Sequence, residues 1–239
     1  MKTKMTLILL AFFATINANA QQVSTEPIVS AFNKFQIGVN FSTDYNYRTL
    51  KATDAVSNFV KEERNLTEFP KISYTTGLNI CFNFTNNIGV ETGLQYSNKG
   101  YKNRAALFFE EDLLSSIVNP PLKYKLTYNF HYLDVPLMAN FSFGKRKVRF
   151  ISSVGLTTNF LIKQKSKSVL EGENAVFTTS NAFNKVNFSP TISFGIDYKI
   201  NEMFNLRVQP TFRYGMAKIK DAPVTAYLWN AGINVGVYL

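Results

Sequence analysis

Between Ile72 and Phe84 the chain alternates without interruption: Ile72, Tyr74, Thr76, Leu78, Ile80, Phe82 and Phe84 share one parity, and Ser73, Thr75, Gly77, Asn79, Cys81 and Asn83 share the other. A period of two places successive side chains on opposite faces of a strand, so a run of this length excludes a helix. After "TNN" the pattern resumes with Ile88, Val90, Thr92, Leu94 and Tyr96 against Gly89, Glu91, Gly93, Gln95 and Ser97. Two such runs around three turn residues read as a hairpin.

The same pattern recurs along the chain. It is found around Phe35–Ser42, Val148–Phe160, Asn187–Tyr198, Phe204–Tyr214 and Tyr227–Leu239, and, less regularly, through "HYLDVPLMANF", His131 to Phe141. That makes eight strands. The connections after strands two, four and six are short ("TNN", "GKRK", "INEM"), whereas those after one, three and five run to about twenty residues or more; the last, Gly215 to Pro223, is shorter. An even number of strands, short turns at one end and long loops at the other predict an all-β, up-and-down, eight-stranded antiparallel transmembrane β-barrel over residues 35–239.

The composition of the two faces separates a membrane barrel from a soluble one. A soluble sheet turns its apolar face to a core and carries many Lys and Glu outside. Here the polar face is mainly Gly, Ser, Thr and Asn, with a few charges of both signs, and the other face is rich in Phe, Leu, Ile and Val with Tyr and Trp nearer strand ends. Small polar residues suit a narrow lumen, and an apolar band with aromatic flanks suits lipid.

The N-terminus supports export. Lys2 and Lys4 precede an apolar run from Met5 to Ile16 and "ANA" at 18–20, the plan of a signal peptide ending at residue 20. The run is too short for a spanning helix. Residues 21–34 are then a short periplasmic segment. The predicted location is the cell outer membrane. Without Lys2 and Lys4 the chain retains 24 basic and 16 acidic residues, a net of +8 over 219 residues. The cations are scattered apart from "GKRK", so nucleic acid is not an expected partner. One cysteine, Cys81, rules out an internal disulfide, and one histidine, His131, leaves no histidine-rich metal site.

With no phosphate loop, nucleophile elbow or metal-ligand spacing, no cofactor, metal or catalytic residue is predicted. A lipid-modifying enzyme would need His131, Asp134 and a strand serine to converge, and one histidine at a strand irregularity is more simply an interfacial or mouth-lining residue. Six inward charges, Glu91, Asp134, Arg149, Asp197, Arg207 and Arg213, are expected to form a buried, mutually paired network, because eight strands leave an interior that side chains fill. The alternative is a narrow conduit for solutes or ions. Residues Arg104–Asn119, "RAALFFEEDLLSSIVN", have the pattern of an amphipathic helix, read either as a loop element packing over the barrel mouth or as a partner-binding or membrane-surface helix.

In the fourth strand the large residues change parity, from Tyr124, Leu126, Tyr128 and Phe130 to Leu133, Val135, Leu137, Ala139 and Phe141. A one-residue slip exchanges the faces of a strand, so a β-bulge in this strand at His131 and Tyr132 is predicted to keep both halves facing lipid. The bulge would also accommodate Pro136, and Asp134 would point inward to meet Arg149, Arg207 or Arg213.

The segment Tyr132, Leu133, Asp134, Val135, Pro136, Leu137 resembles the Tyr-Leu-Glu-Ile-Pro-Leu of the PorT-like outer-membrane β-barrel proteins of Bacteroidota, which are barrels of the OmpA/OmpX-like kind. Asp134 stands where that family usually has Glu, and Leu239 where it usually ends in an aromatic. The eight strands, "ANAQ" and "GLQYSNKG" fit the same resemblance across the whole mature chain. It implies an envelope barrel whose namesake is similar to an accessory of the type IX secretion pathway. The expected function is a non-catalytic envelope component in contact with outer-membrane lipid, acting on a protein partner through its loops or periplasmic rim.

Overall fold

A computed structural model describes residues 34–107, 122–144, 147–170 and 174–239. The strands are β1 (Phe35–Ala52), β2 (Glu68–Asn83), β3 (Ile88–Leu107), β4 (Leu122–Phe143), β5 (Val148–Leu170), β6 (Val176–Ser180), β7 (Val186–Lys199), β8 (Asn205–Tyr214) and β9 (Val224–Tyr238), with one helix, α1 (Ala55–Thr67), between β1 and β2. All pairings are antiparallel, and β1 closes on β9 to give a ring of eight strands in meander order. The small strand β6 stands outside the ring, paired with Gln164–Ser168 of β5. The predicted signal peptide and nearly all of the segment at residues 21–34 lie outside the described residues.

The apolar parity faces outward. Phe35, Ile37, Val39 and Phe41 of β1, Leu78 and Ile80 of β2, Phe188, Ile192 and Phe194 of β7, and Ile233 of β9 are all exposed, while Asn40, Asn79, Ser189, Thr191 and Asn234 of the same strands are buried. A continuous outward belt of Phe, Ile, Leu and Val around a closed ring cannot be stable in water and fits a hydrocarbon surround. Among the described residues no helix is long and apolar enough to cross a membrane. Aromatic contacts mark the belt's edge toward the long loops: Trp229 lies 6.0 Å from Tyr45 and 6.1 Å from Phe212, and Tyr74 lies 6.0 Å from Tyr96, which lies 5.9 Å from His131. Amphipathic rings settle at this interface because one side is apolar and the other wet.

The strands are longer than the lipid requires. About 9–11 tilted residues span the hydrocarbon core, whereas β3, β4 and β5 have 20, 22 and 23 residues. The surplus lies at the long-loop end, and much of what the sequence reading assigned to long loops is strand. There the two faces exchange character. Tyr101, Phe130, Tyr132, Leu161, Ala226 and Leu228 point inward and form a buried apolar cluster with Ile219, flanked by Tyr47, Leu50, Tyr128 and Phe183. Below that level the barrel is polar inside and apolar outside; above it, where the surround is aqueous, it is packed like a soluble protein.

This exchange corrects the predicted bulge in β4. Phe130, Tyr132, Asp134, Pro136, Met138 and Asn140 are buried in unbroken alternation, and the register between β3 and β4 is continuous. The change of apolar parity is therefore not a slip. It is the same inward face passing from the polar lumen to the apolar cluster. A register shift does occur at the level of His131 and Tyr132, but the extra residue is Ile162 on the partner strand, since Tyr132 pairs with Leu161 and His131 with Lys163. Pro136 does not sit at that shift. Its missing N–H falls where the ladder to β3 lapses between Thr92–Leu137 and Gln95–Asp134, and Pro210 coincides with a similar lapse between β7 and β8.

Of the predicted helix at Arg104–Asn119, Arg104–Leu107 are the end of β3 and the rest lies outside the described residues. The described helix is α1. Asp54 caps it, accepting from the Ser57 backbone N–H at 2.8 Å and the Ser57 hydroxyl at 2.8 Å.

Candidate functional site

Two polar layers stack inside the ring beneath the apolar cluster, and a third lies at the height of that cluster beside α1. The first is nearest the short turns. Arg149 Nη2 donates to Asp197 Oδ2 at 2.6 Å, Arg207 Nε lies 3.9 Å from Asp197 Oδ1, and Arg207 Nη1 donates to Glu91 Oε2 at 2.8 Å. Asn140 and Cys81 also donate to Glu91 Oε2, at 2.9 and 3.1 Å. Tyr238 donates to Glu91 Oε1 at 3.2 Å, and the Arg207 guanidinium lies 4.0 Å from the centre of its ring. Four of the six predicted charges thus form one chain across β5, β7, β8 and β3, with two cations against two carboxylates.

The second layer contains the other two predicted charges, but each with a partner the sequence reading did not name. Asp134 pairs with Lys99 at 3.1 Å and accepts from Ser97 at 2.8 Å and Asn159 at 2.7 Å; it meets none of Arg149, Arg207 or Arg213. Arg213 faces Asp44 at 3.8 Å, and Asp44 accepts from Ser42 at 2.6 Å and Thr75 at 2.5 Å. Charge is again balanced. Lys99 Nζ sits 5.1 Å from the Tyr132 ring centre, where this layer meets the apolar cluster. Both missed residues continue a parity already read: Asp44 follows Asn40 and Ser42, and Lys99 follows Gln95 and Ser97.

The third layer mounts α1. Arg48 Nε and Arg64 Nε donate to Glu68 Oε2 and Oε1 at 2.6 and 2.7 Å, and Arg48 also donates to Asn65 Oδ1 and to the Arg64 carbonyl, each at 2.9 Å. The polar side of α1 is thus clasped to the barrel. Its apolar side is turned away: Val56, Phe59 and Leu66 are 78, 75 and 78 % exposed. An open groove of about 490 Å³ runs between Val56, Val60 and Arg64 and the segment Ala222–Val224. At this exposed site the Ser57 N–H and hydroxyl hold the Asp54 carboxyl below its ordinary value of 3.8.

Two lumen cavities of about 30 and 10 Å³ are lined by the polar side chains of these layers, with room for one or two water molecules. The segment His131–Leu137 divides by parity: Tyr132, Asp134 and Pro136 face in, and His131, Leu133, Val135 and Leu137 face out. His131 Nδ1 shares a hydrogen bond of 2.5 Å with Tyr96 Oη in the aromatic edge. His131 and Asp134 are on opposite faces of β4, so they cannot act on one another as base and orienting acid. No group of three or more His, Cys, Asp or Glu able to hold a metal occurs among the described residues.

A family model described as "Outer membrane protein beta-barrel domain" matches residues 13–221. Among solved structures the chain is similar to the Neisserial surface protein A, with 12 % identity, a TM-score of 0.45 and coverage of 87 % of this chain and 97 % of that one. It is also similar to OprG from Pseudomonas aeruginosa, at 16 % identity, TM-score 0.43, and 86 and 95 % coverage. For Ail of Yersinia pestis the values are 14 %, 0.37, and 86 and 99 %. No curated protein matches the chain at a significant level.

Proposed function

Since the chain belongs to the family of outer-membrane β-barrel domains and resides in the outer membrane, we propose that it is a non-catalytic envelope component that presents α1 and its neighbouring loop to a protein partner. The observation that carries this reading is the mounting of α1. A polar clasp of Arg48, Glu68 and Arg64 fixes the helix, while Val56, Phe59 and Leu66 are held outward beside an open groove. A helix normally turns its apolar side to the core and its charges to water; here the arrangement is reversed. Rigid apolar anchors beside a groove are what a partner surface uses.

In outer-membrane barrels the short turns lie on the periplasmic side and the long connections outside. On that reading α1 faces the cell exterior and both strand ends, Phe35 and Tyr238, face the periplasm. The small cavities and the charge balance of the first two lumen layers favour a plugged barrel over a conduit. The affiliation with PorT-like barrels, and through it a link to protein secretion, is the finer part of the proposal and stands on Tyr132–Leu137.

The test is co-isolation from detergent-solubilised outer membranes of the tagged wild type and of the Phe59→Ser/Leu66→Ser double variant, at matched barrel amounts. A protein present with the first and absent with the second is expected. Identical sets would remove the assignment of α1 as the partner surface.

A further inference from the structure

The extra residue in β5 determines where three lysines point. From Ile151 to Leu161 the odd positions of β5 face inward. Continued unchanged, that parity would bury Lys163, Lys165 and Lys167 in the apolar cluster, at a prohibitive desolvation cost. Ile162 and Lys163 are instead exposed in succession, after which Gln164 is buried and the lysines lie outside. Bulges serve to re-aim side chains in this way.

The strand register turns these lysines into a facet. Row by row across β3, β4 and β5, the outward residues are Asn98, His131 and Lys163; then Gly100, Asn129 and Lys165; then Lys102, Thr127 and Lys167; then Arg104, Lys125 and Val169. Neighbouring strands are about 4.8 Å apart and successive rows about 7 Å. Each row carries at least one cation and none carries a carboxylate. None of these cations forms an ion pair among the described residues. Lys71 is buried behind the facet and donates to Asn98 and Asn129 at 2.6 Å each, which fixes those two side chains. The facet begins one residue beyond Ile162, the last lipid-facing apolar side chain of β5, and beside the Tyr96–His131 edge of the belt.

That height is where lipid headgroups meet the barrel. Continuous with the lipid-facing surface, purely cationic and interspersed with Asn, Thr and His donors, the facet is complementary to phosphate esters. We propose that it binds the phosphate groups of anionic lipid headgroups in the leaflet on the long-loop side, with the Ile162 bulge as the device that aims it.

The intact barrel in zwitterionic detergent is titrated with diphosphoryl lipid A, with the same lipid stripped of phosphate, and with inorganic phosphate. Tight binding of the phosphorylated lipid alone is expected, weakening at high salt. The variant K163Q/K165Q/K167Q is expected to lose about fivefold per lysine, about a hundredfold in all. Its heat-modifiable gel mobility reports that it still folds, and K199Q/K218Q, which alters lysines elsewhere, should bind as the wild type does. Equal affinity of the triple variant and wild type, equal affinity for the phosphate-free lipid, or equally tight binding of inorganic phosphate would each overturn the proposal.

Discussion

Arg207 Nη1 donates to Glu91 Oε2 at 2.8 Å across the lumen, tying β8 to β3, strands that are not neighbours in the ring. Both side chains are nearly inaccessible, so each charge depends on the other for its solvation.

Removing one partner of that pair leaves an uncompensated charge in the lumen. Arg207→Ala is expected to destabilise the barrel by about 3–5 kcal/mol, because Glu91 loses its cation and Asp197 keeps only Arg149. The urea midpoint in lipid vesicles measures this, with the heat-modifiable gel shift at a lower temperature as a second readout. An unchanged midpoint would show that water solvates Glu91.

Tyr238 closes the seam between the first and last strands by laying its ring over Gly38, its register partner, and Gly236. A side chain at residue 38 would overlap the ring. Gly38→Val is expected to cost about 1–3 kcal/mol from overpacking. The added change Tyr238→Ala should make the two effects less than additive, which a double-mutant cycle of unfolding free energies tests.

The Asp54 cap makes α1 sensitive to acid. A carboxyl whose value is depressed by folding contributes stability that is present above its ordinary value of 3.8 and is lost as the pH falls through its folded value. Amide exchange at Ser57 and Asn58 should therefore accelerate in strong acid relative to exchange in the barrel strands. In Asp54→Ala that pH dependence should vanish, with exchange already fast at neutral pH.

A lumen interrupted by three polar layers and an apolar cluster should not conduct. Planar bilayers holding the wild type are expected to remain silent, and a steady conductance abolished by Arg207→Ala would instead favour the conduit reading.

Most of the architecture was legible in the residues. Phe82 against Cys81, or Ile192 against Ser193, reports a face by hydropathy alone, because lipid outside and a narrow polar lumen inside leave no ambiguity at that depth. Six inward charges were legible for the same reason. What was lost lay above the lipid. There water replaces hydrocarbon, so Phe130 and Tyr132 turn inward and Lys163 and Lys165 outward, and a reading that follows the apolar parity mistakes an exchange of surroundings for a slip of register. The polar side of α1 hid the helix similarly, since its charges serve the barrel and its apolar residues face away.

By itself the sequence determined the eight-stranded ring, its short-turn and long-loop ends, the outward apolar belt and the inward charges. These depend on period and parity, which are local. Only the tertiary structure decided which charges pair, that the extra residue is Ile162 on β5 rather than one in β4, and that Asp44 and Lys99 complete the second layer. Those outcomes depend on which strands lie opposite one another across a closed ring and on the height at which each leaves the lipid, and neither is encoded in a strand read alone.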